Sequence, residues 1–537
     1  MSALGPQFAL NRAATADARR GAAAADARRG GGASCSYAAP SARPSRARQP
    51  PTPQASVLGA RLRGSRALRA RPAAPAAATP AAAEAEVAAL DAQLAWAIEA
   101  GGLPPTPLEP AALPDRLGGA RAALVAARAV RAGEPLLAIP GDLAVTAADV
   151  EKDAALAALA AGRGELVGLA LWLLAERGRG GASPWAPLLA ALPRATESPL
   201  LWPDAERAEL LRGSPTLAEA RAREAALRAE WAAIAAAAAA DPATYPPAVF
   251  NEDAFLAAMS VVLAHAAFLP AAGVFALLPL VGALARTGAP DGAALDYDAA
   301  TGAAVLVAGR DFARGEAVAL ADGRPNGELL LATGDLEDGN PADCQAMTAA
   351  LVPADRLYAA KKEVLEALGF GTSVEFPVFE DRLSVQHLAF SRLARVADAA
   401  QLAKITFEAD VIVSVENEYE VLQLMMGDLR ERQQGYAEEY EAEVKNLQRP
   451  ELGARERLAA RLRLGEKRVL RGTMDGVRRR LAPIRGVPTK KGMEDPNADF
   501  KEIFDAFEAI PAAPKKLFDG IAKWARGDND PTWKKKR

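Results

Sequence analysis

Histidine and cysteine are nearly absent: two of each in 537 residues, His265 and His387, Cys35 and Cys344. Two cysteines build neither a disulfide framework nor a thiolate zinc site, which fits a reducing compartment. Two histidines exclude most imidazole metal chemistry, and no metal ligand set is expected. No apolar run reaches the ~18 residues that cross a bilayer. The longest candidate, LVGLALWLLAE from Leu166, is too short and reads as a buried helix. An excess of one charge is lacking too. With a formal net charge of −3 and no dominant basic domain, nucleic acid is not an expected partner. Acid is missing in one place: residues 1 to about 80 hold no glutamate and only Asp17 and Asp26 among many arginines, serines and alanines. That composition fits an organelle transit peptide, with a disordered basic tail as the alternative.

What is present suggests two or three domains plus extensions. AAPAAATPAAAEAE reads as a linker into the folded part. Leu90, Leu94 and Ile98 then recur at helical spacing, and Gly101-Gly102 ends that helix. ALVAARAV and PLLAIP have strand character and flank RAGE, which suits a turn between antiparallel strands. A helical stretch follows through ELVGLALWLLAERG, SPWAPLLAALP and the alanine-rich segment Thr216 to Ala240. Strands return as ALDYD, AAVLVAGRDF and EAVALAD. Beyond Pro341 the chain reads as helical. Leu422, Met425, Leu429, Tyr436, Tyr440 and Leu447 share one face, and Leu458, Leu462, Val469, Val477 and Leu481 form another, ending at Pro483 and Gly486. The basic clusters RERLAARLRLGEKR and VRRRLAPIRG either bind acidic partners or form a solvated helix face. Short strands on both sides of a helical insert, then a helical domain, make an α+β protein.

Several segments together resemble the plastid SET-domain proteins of the Rubisco large-subunit lysine methyltransferase group. AGGLPP, ALVAARAVRAGEPLLAIPGDLAVT, SPWAPLLAALPRATESPLLWPDAERAELLRGSP and LDYDAATGAAVLVAGRDFARGEAVALADGRPNGELLLATG occur in that order at the family's spacings. The helical stretch from Leu357 to Arg485 resembles that family's Rubisco-substrate-binding domain. The resemblance implies a transit peptide over 1–80 and a SET-like domain over 85–340, with small sheets around a pseudoknot and a helical insert at 157–240. It further implies an all-helical substrate-binding-like domain over 345–510, a tail over 511–537 and a chloroplast stromal location. The implied cofactor is S-adenosyl-L-methionine, and the implied partner is a stromal protein held by the C-terminal helices.

Methyl transfer from a sulfonium to an amine is an in-line displacement. It needs a neutral lysine, with its pKa lowered by burial and by the positive sulfonium, and it needs alignment. The resemblance implies four devices for this: a G-x-G turn, an R-S-R segment for the cofactor's charged end, an N-H-S segment for adenine, and a tyrosine beside the amine. Each is altered here. Gly118 and Gly119 precede Arg121, Ala122 and Ala123 where the glycine turn belongs. Ala264 and Ala266 replace the two arginines, with His265 between them. Ala285, Arg286 and Thr287 replace the N-H-S segment, after Gly282 at an aspartate position. Thr333 replaces the tyrosine, Asp335 the aromatic residue after the glycine, and Ala321 a second aromatic. Alanine supplies no amide hydrogen bond, and a threonine hydroxyl is shorter in reach and far less acidic than a phenol.

The scaffold segments PNGELLL, RAGEPLLAIP and ARGEAV are intact, as are Trp185, Trp202 and the helical C-terminal stretch. Drift toward alanine would not spare one set so cleanly. Three readings follow: a SET protein with weakened or lost activity that still binds a protein, an active lysine methyltransferase with a diverged pocket, and a non-enzymatic plastid assembly factor.

Overall fold

The computed structural model describes residues 80–115 and 119–484. The expected transit peptide, the tail at 511–537, Gly118 and Gly486 therefore lie outside the described residues. The chain enters as helix α1 (Pro80–Gly101). Its inward face differs from the one the spacing suggests: Leu90 is buried, but Ile98 is 45% exposed, and Gln93 and Ala97 face inward instead. The reason is polar. Gln93 Oε1 accepts a hydrogen bond from the Leu280 backbone N–H at 3.0 Å, which fixes the rotation of the helix.

Strand β1 (Leu108–Pro114) pairs antiparallel with β2 (Ala120–Ala126), while β3 (Pro135–Pro140) lies in another sheet. The expected pairing across RAGE is thus corrected. Gly133 does turn the chain there, at φ 83, but the turn sends the two strands into separate sheets. β1 escaped notice because LEPAALP carries two prolines, which an edge strand tolerates.

Seven helices follow: α2 (Ala147–Lys152), α3 (Ala154–Ala160), α4 (Glu165–Arg179), α5 (Ala186–Ala191), α6 (Asp204–Leu210), α7 (Thr216–Ala240) and α8 (Glu252–His265). In α4 every residue from Val167 to Leu174 is buried, so its apolar run serves a helical core. No described helix is long and apolar enough to cross a membrane. Strands β4 (Ala266–Leu269) and β5 (Val274–Leu277) form a hairpin. β6 (Ala285–Thr287) comes next, then β7 (Ala294–Asp298) and β8 (Ala303–Val307), which join β3 in the order β3-β8-β7. β9 (Ala319–Ala321) runs parallel to β6, from Ala285↔Ala319 to Thr287↔Ala321, and this pairing joins two distant segments of the domain. Helix α9 (Asn326–Thr333) closes it.

The C-terminal region is helical, but it opens on a two-stranded sheet that periodicity did not reveal. β10 (Cys344–Ala350) leads to α10 (Tyr358–Ala367) and returns as β11 (Ser373–Phe379). Its alternation is hidden because alanine stands on both faces of CQAMTAA. Then come α11 (Val385–Arg395), α12 (Ala399–Leu402), α13 (Val415–Gln434), α14 (Tyr440–Leu447) and α15 (Ala454–Ile484). The face drawn from Leu422 to Leu447 is split between α13 and α14, with Tyr436 buried in the link. On α15, Leu458, Leu462, Val469, Val477 and Leu481 are all buried, and Pro483 lies within its last turn.

The bases of α15 divide between a solvated face, where Arg471 and Arg479 are exposed, and pairs within the chain. Arg455 pairs with Glu197 and Glu206, Arg461 with Asp338, Arg463 and Lys467 with Glu443, and Arg480 with Asp410. Three of these arginines reach back to the first domain, since Arg463 also donates to the Leu210 carbonyl. The bases stitch the chain together, which a count of like charges along one helix does not show.

Asn326 anchors α9. Its Nδ2 donates to the Glu337 carbonyl at 2.8 Å and to Asp343 Oδ2 at 2.9 Å, and its Oδ1 accepts from Glu337 N at 2.8 Å. Asn326→Ala takes the partner from three half-buried polar groups, the Glu337 N–H and carbonyl and Asp343 Oδ2. We expect it to lower stability by about 2 kcal/mol in a thermal or urea melt. A melt equal to that of the unchanged protein would refute this anchoring role.

Candidate functional site

The site is built where α8 ends, β6 crosses β9, and α9 stops. α8 terminates at His265, and Ala266 continues as the first residue of β4. Ala264 is buried and Ala266 half-buried. Ala285 and Arg286 sit on β6 within this corner. Arg286 Nη2 donates to the Ala264 carbonyl at 3.0 Å, and Nη1 faces Asp322 Oδ2 at 3.4 Å. The fold therefore joins Arg286 to Ala264 directly. Arg286 bridges two of the segments that the family resemblance assigns to the cofactor.

Asp322, just after β9, is almost wholly buried and is gripped more tightly by Arg324, whose Nη2 donates to Oδ2 at 2.6 Å. Burial lowers the pKa of Arg286, with Asp322 opposing and Arg324 reinforcing the effect. Two guanidinium groups thus share one carboxylate.

His265 lies over Gly282. A Cβ placed at Gly282 would come within 2.2 Å of His265 Nδ1, so no side chain fits there while the imidazole keeps its position. Burial, then the charges of Arg286 and Arg177, lower the His265 pKa to about 4. The ring is neutral near pH 7 and flanked by arginines.

Thr333 is the last residue of α9. Its hydroxyl donates to the Leu329 carbonyl at 2.7 Å and accepts from Asp335 N at 3.1 Å. Gly334 follows at φ 74, where a Cβ would strike the backbone of Glu197 and Ser198. Thr333 and Gly334 together form a helix stop. Among the described residues no hydrogen bond joins Thr333 to Ala264, Ala266, Ala285 or Arg286.

Two further substituted positions meet each other. Arg121, on β2, donates through Nη1 to Asp335 Oδ2 at 2.6 Å, with both side chains about two-fifths exposed. Gly119, before it, closes the β1–β2 turn by donating to Asp115 Oδ1 at 2.7 Å. Ala123 is buried in the strand, and the Ala321 N–H donates to the Ala293 carbonyl.

Sequence reasoning missed Asp322, Arg324 and Glu337. Glu337 accepts from Thr287 Oγ1 at 2.7 Å and from Gly288 N at 2.6 Å, tying β6 to the segment after α9. The signal was the charge pattern: an acid or a base stands near each position that had lost its aromatic or amide group. Two open clefts on the surface, of about 410 and 360 Å³, are lined by none of Ala264, Ala266, Ala285, Arg286 or Thr333.

The side chains do not fit S-adenosyl-L-methionine. Positions 264 and 266 have no donor for a carboxylate, position 285 has none for adenine, and Arg286 is committed to Ala264 and Asp322.

Comparison with known proteins supplies the architecture. Residues 352–470 match the family described as Rubisco LSMT substrate-binding. The fold is similar to the crystal structure of the SET domain of LSMT bound to lysine and AdoHcy, with a TM-score of 0.58 at 20% identity over 79% of this chain and 98% of that one. It is similar to Rubisco LSMT bound to AdoMet, with a TM-score of 0.57 at 18% identity over 79% and 99%. Among curated proteins, the actin-histidine N-methyltransferases of Mus musculus and Homo sapiens are 31% and 30% identical over 178 residues, 30% of each chain. The chain thus matches under a third of the length of these relatives. The fold is that of the SET-domain LSMT structures, and residues 352–470 resemble the substrate-binding domain that follows it there.

Proposed function

We propose that this chain is a SET-family protein, related to protein lysine and histidine methyltransferases, that has exchanged methyl transfer for binding a partner protein. One observation carries the reading: residues that replace the family's working groups bond to one another. Arg121 pairs with Asp335, Arg286 holds Ala264 and Asp322, His265 covers Gly282, and the Thr333 hydroxyl is taken up by its own helix. Alanines stand at 264, 266, 285 and 321, but Arg121, Arg286 and Thr333 are each engaged by neighbours, which supports the reading. The match of residues 352–470 to a substrate-binding family supports a protein partner, and the family resemblance, rather than the N-terminal composition, favours a stromal one.

The test is calorimetric titration of the full chain with S-adenosyl-L-methionine and S-adenosylhomocysteine. No heat of binding up to millimolar ligand is the expected result. Micromolar binding would overturn it and restore methyl transfer to a lysine or histidine as the working reading.

A further inference from the structure

Glu466 projects from the middle of α15 into a closed junction between the two parts of the chain. It is 6% exposed. Ser214 and Thr216, at the turn between α6 and α7, donate to its Oε1 at 2.7 and 3.3 Å. The Tyr436 hydroxyl, from the link between α13 and α14, donates to Oε2 at 3.0 Å. The turn and the link are pressed together: Gly213 has φ +87, and a Cβ there would lie 2.5 Å from the Gly435 carbonyl oxygen.

The surrounding charges are committed elsewhere. Arg463, one turn back on α15, is bound to Glu443 and the Leu210 carbonyl; Lys467 is bound to Glu443 and the Glu438 carbonyl. Glu443, on α14, is held by these two bases, and Arg432, on α13, acts on Tyr436. Glu466 is left with three hydroxyls and no ion pair among the described residues. A carboxylate enclosed without a cation binds its proton more firmly than an exposed one.

We infer that Glu466 is a proton-operated latch: protonated, it holds the 210–216 turn against the C-terminal helices, and on ionising it loosens that contact. Burial pushes its pKa up to about 7, against the partial relief of the three hydroxyls and Arg463. The sign follows. The docked state holds the proton above the ordinary carboxyl range of about 4.5, so docking is strongest in acid and weakens as pH rises, levelling off above 7.

The test is hydrogen exchange on the full chain between pH 5.5 and 8, corrected for intrinsic rates and read in peptides covering 208–217 and 434–441. Protection in the unchanged protein should fall roughly twentyfold across that range. Glu466→Gln, which keeps the shape and cannot ionise, should show no such fall. Tyr436→Phe removes one donor to the charged form, so its transition should extend to higher pH. Equal pH dependence in Glu466→Gln and the unchanged protein overturns the latch. So does a Tyr436→Phe transition that stays in place.

Discussion

Exchanging Glu418 for alanine is expected to destabilise the C-terminal region by about 3–5 kcal/mol, among the largest effects any single change should have here. Glu418 and Arg392 are each 1% exposed and meet bidentately, at 2.6 and 2.8 Å. Arg392 also faces Asp410 at 2.7 Å, and Asp410 takes Arg480 of α15 at 2.5 Å. Asn417 Nδ2 donates to the Arg392 carbonyl at 3.0 Å. Two bases and two acids form a neutral group joining α11, the 410 segment, the start of α13 and α15. Removing Glu418 leaves two guanidinium groups facing one carboxylate away from water. The double change Arg392→Met with Glu418→Leu keeps the volume and leaves Asp410 with Arg480 as a neutral pair, so it should cost far less. Thermal melts of both variants decide the matter; a double variant as unstable as the single one would show that packing, not charge balance, governs this site.

This tetrad also shows what a sequence hides. Arg392, Asp410, Glu418 and Arg480 are spread over 89 positions, and each sits among other charged residues that do face water. Periodicity finds apolar faces, so the inward residues of α15 and the buried run of α4 were legible from spacing alone. It does not find pairing. β2 was legible as a strand, yet its partner was not, because strand pairing depends on contacts far apart in the chain. The hairpin of β10 and β11 was lost to alanine, which marks neither face. At the candidate site, the substituted positions were legible one by one through resemblance. That Arg121 would reach Asp335, or Arg286 the Ala264 carbonyl, required the fold.

These contacts bear on how such a site changes. Arginine at position 286 would be costly if it stood alone, because its guanidinium is nearly enclosed; Asp322 and the Ala264 carbonyl offset that cost. Glycine at 282 leaves the volume that His265 occupies. Each exchange makes room for another or answers its charge, so a single reversion to the family residue disturbs its neighbours. Aspartate at 282 would strike His265, and removing Arg286 would free Arg324 to take Asp322 alone.

The two histidines give the second large effect, and its direction is fixed by burial. His387 is 2% exposed, stacked on Phe376 at 5.3 Å, and burial lowers its pKa to about 4. Its folded pKa lies below the unfolded value of 6.5, so below that pH the unfolded chain takes up protons that the fold refuses. Stability is therefore lost as pH falls from about 6.5 toward 4. For His387 alone the loss at pH 4.5 is about 2.5 kcal/mol. His265, lowered to the same region, adds to it. Glu466 works the other way, gaining stability as pH falls from about 7 to 4.5, so it offsets part of that loss in the unchanged protein. His387→Phe keeps the stack and removes the proton site. Relative to the unchanged protein it should gain about 2.5 kcal/mol on going from pH 7.5 to 4.5, read from urea midpoints at the two values. A gap between the two proteins that does not change with pH would mean that His387 is protonated within the fold.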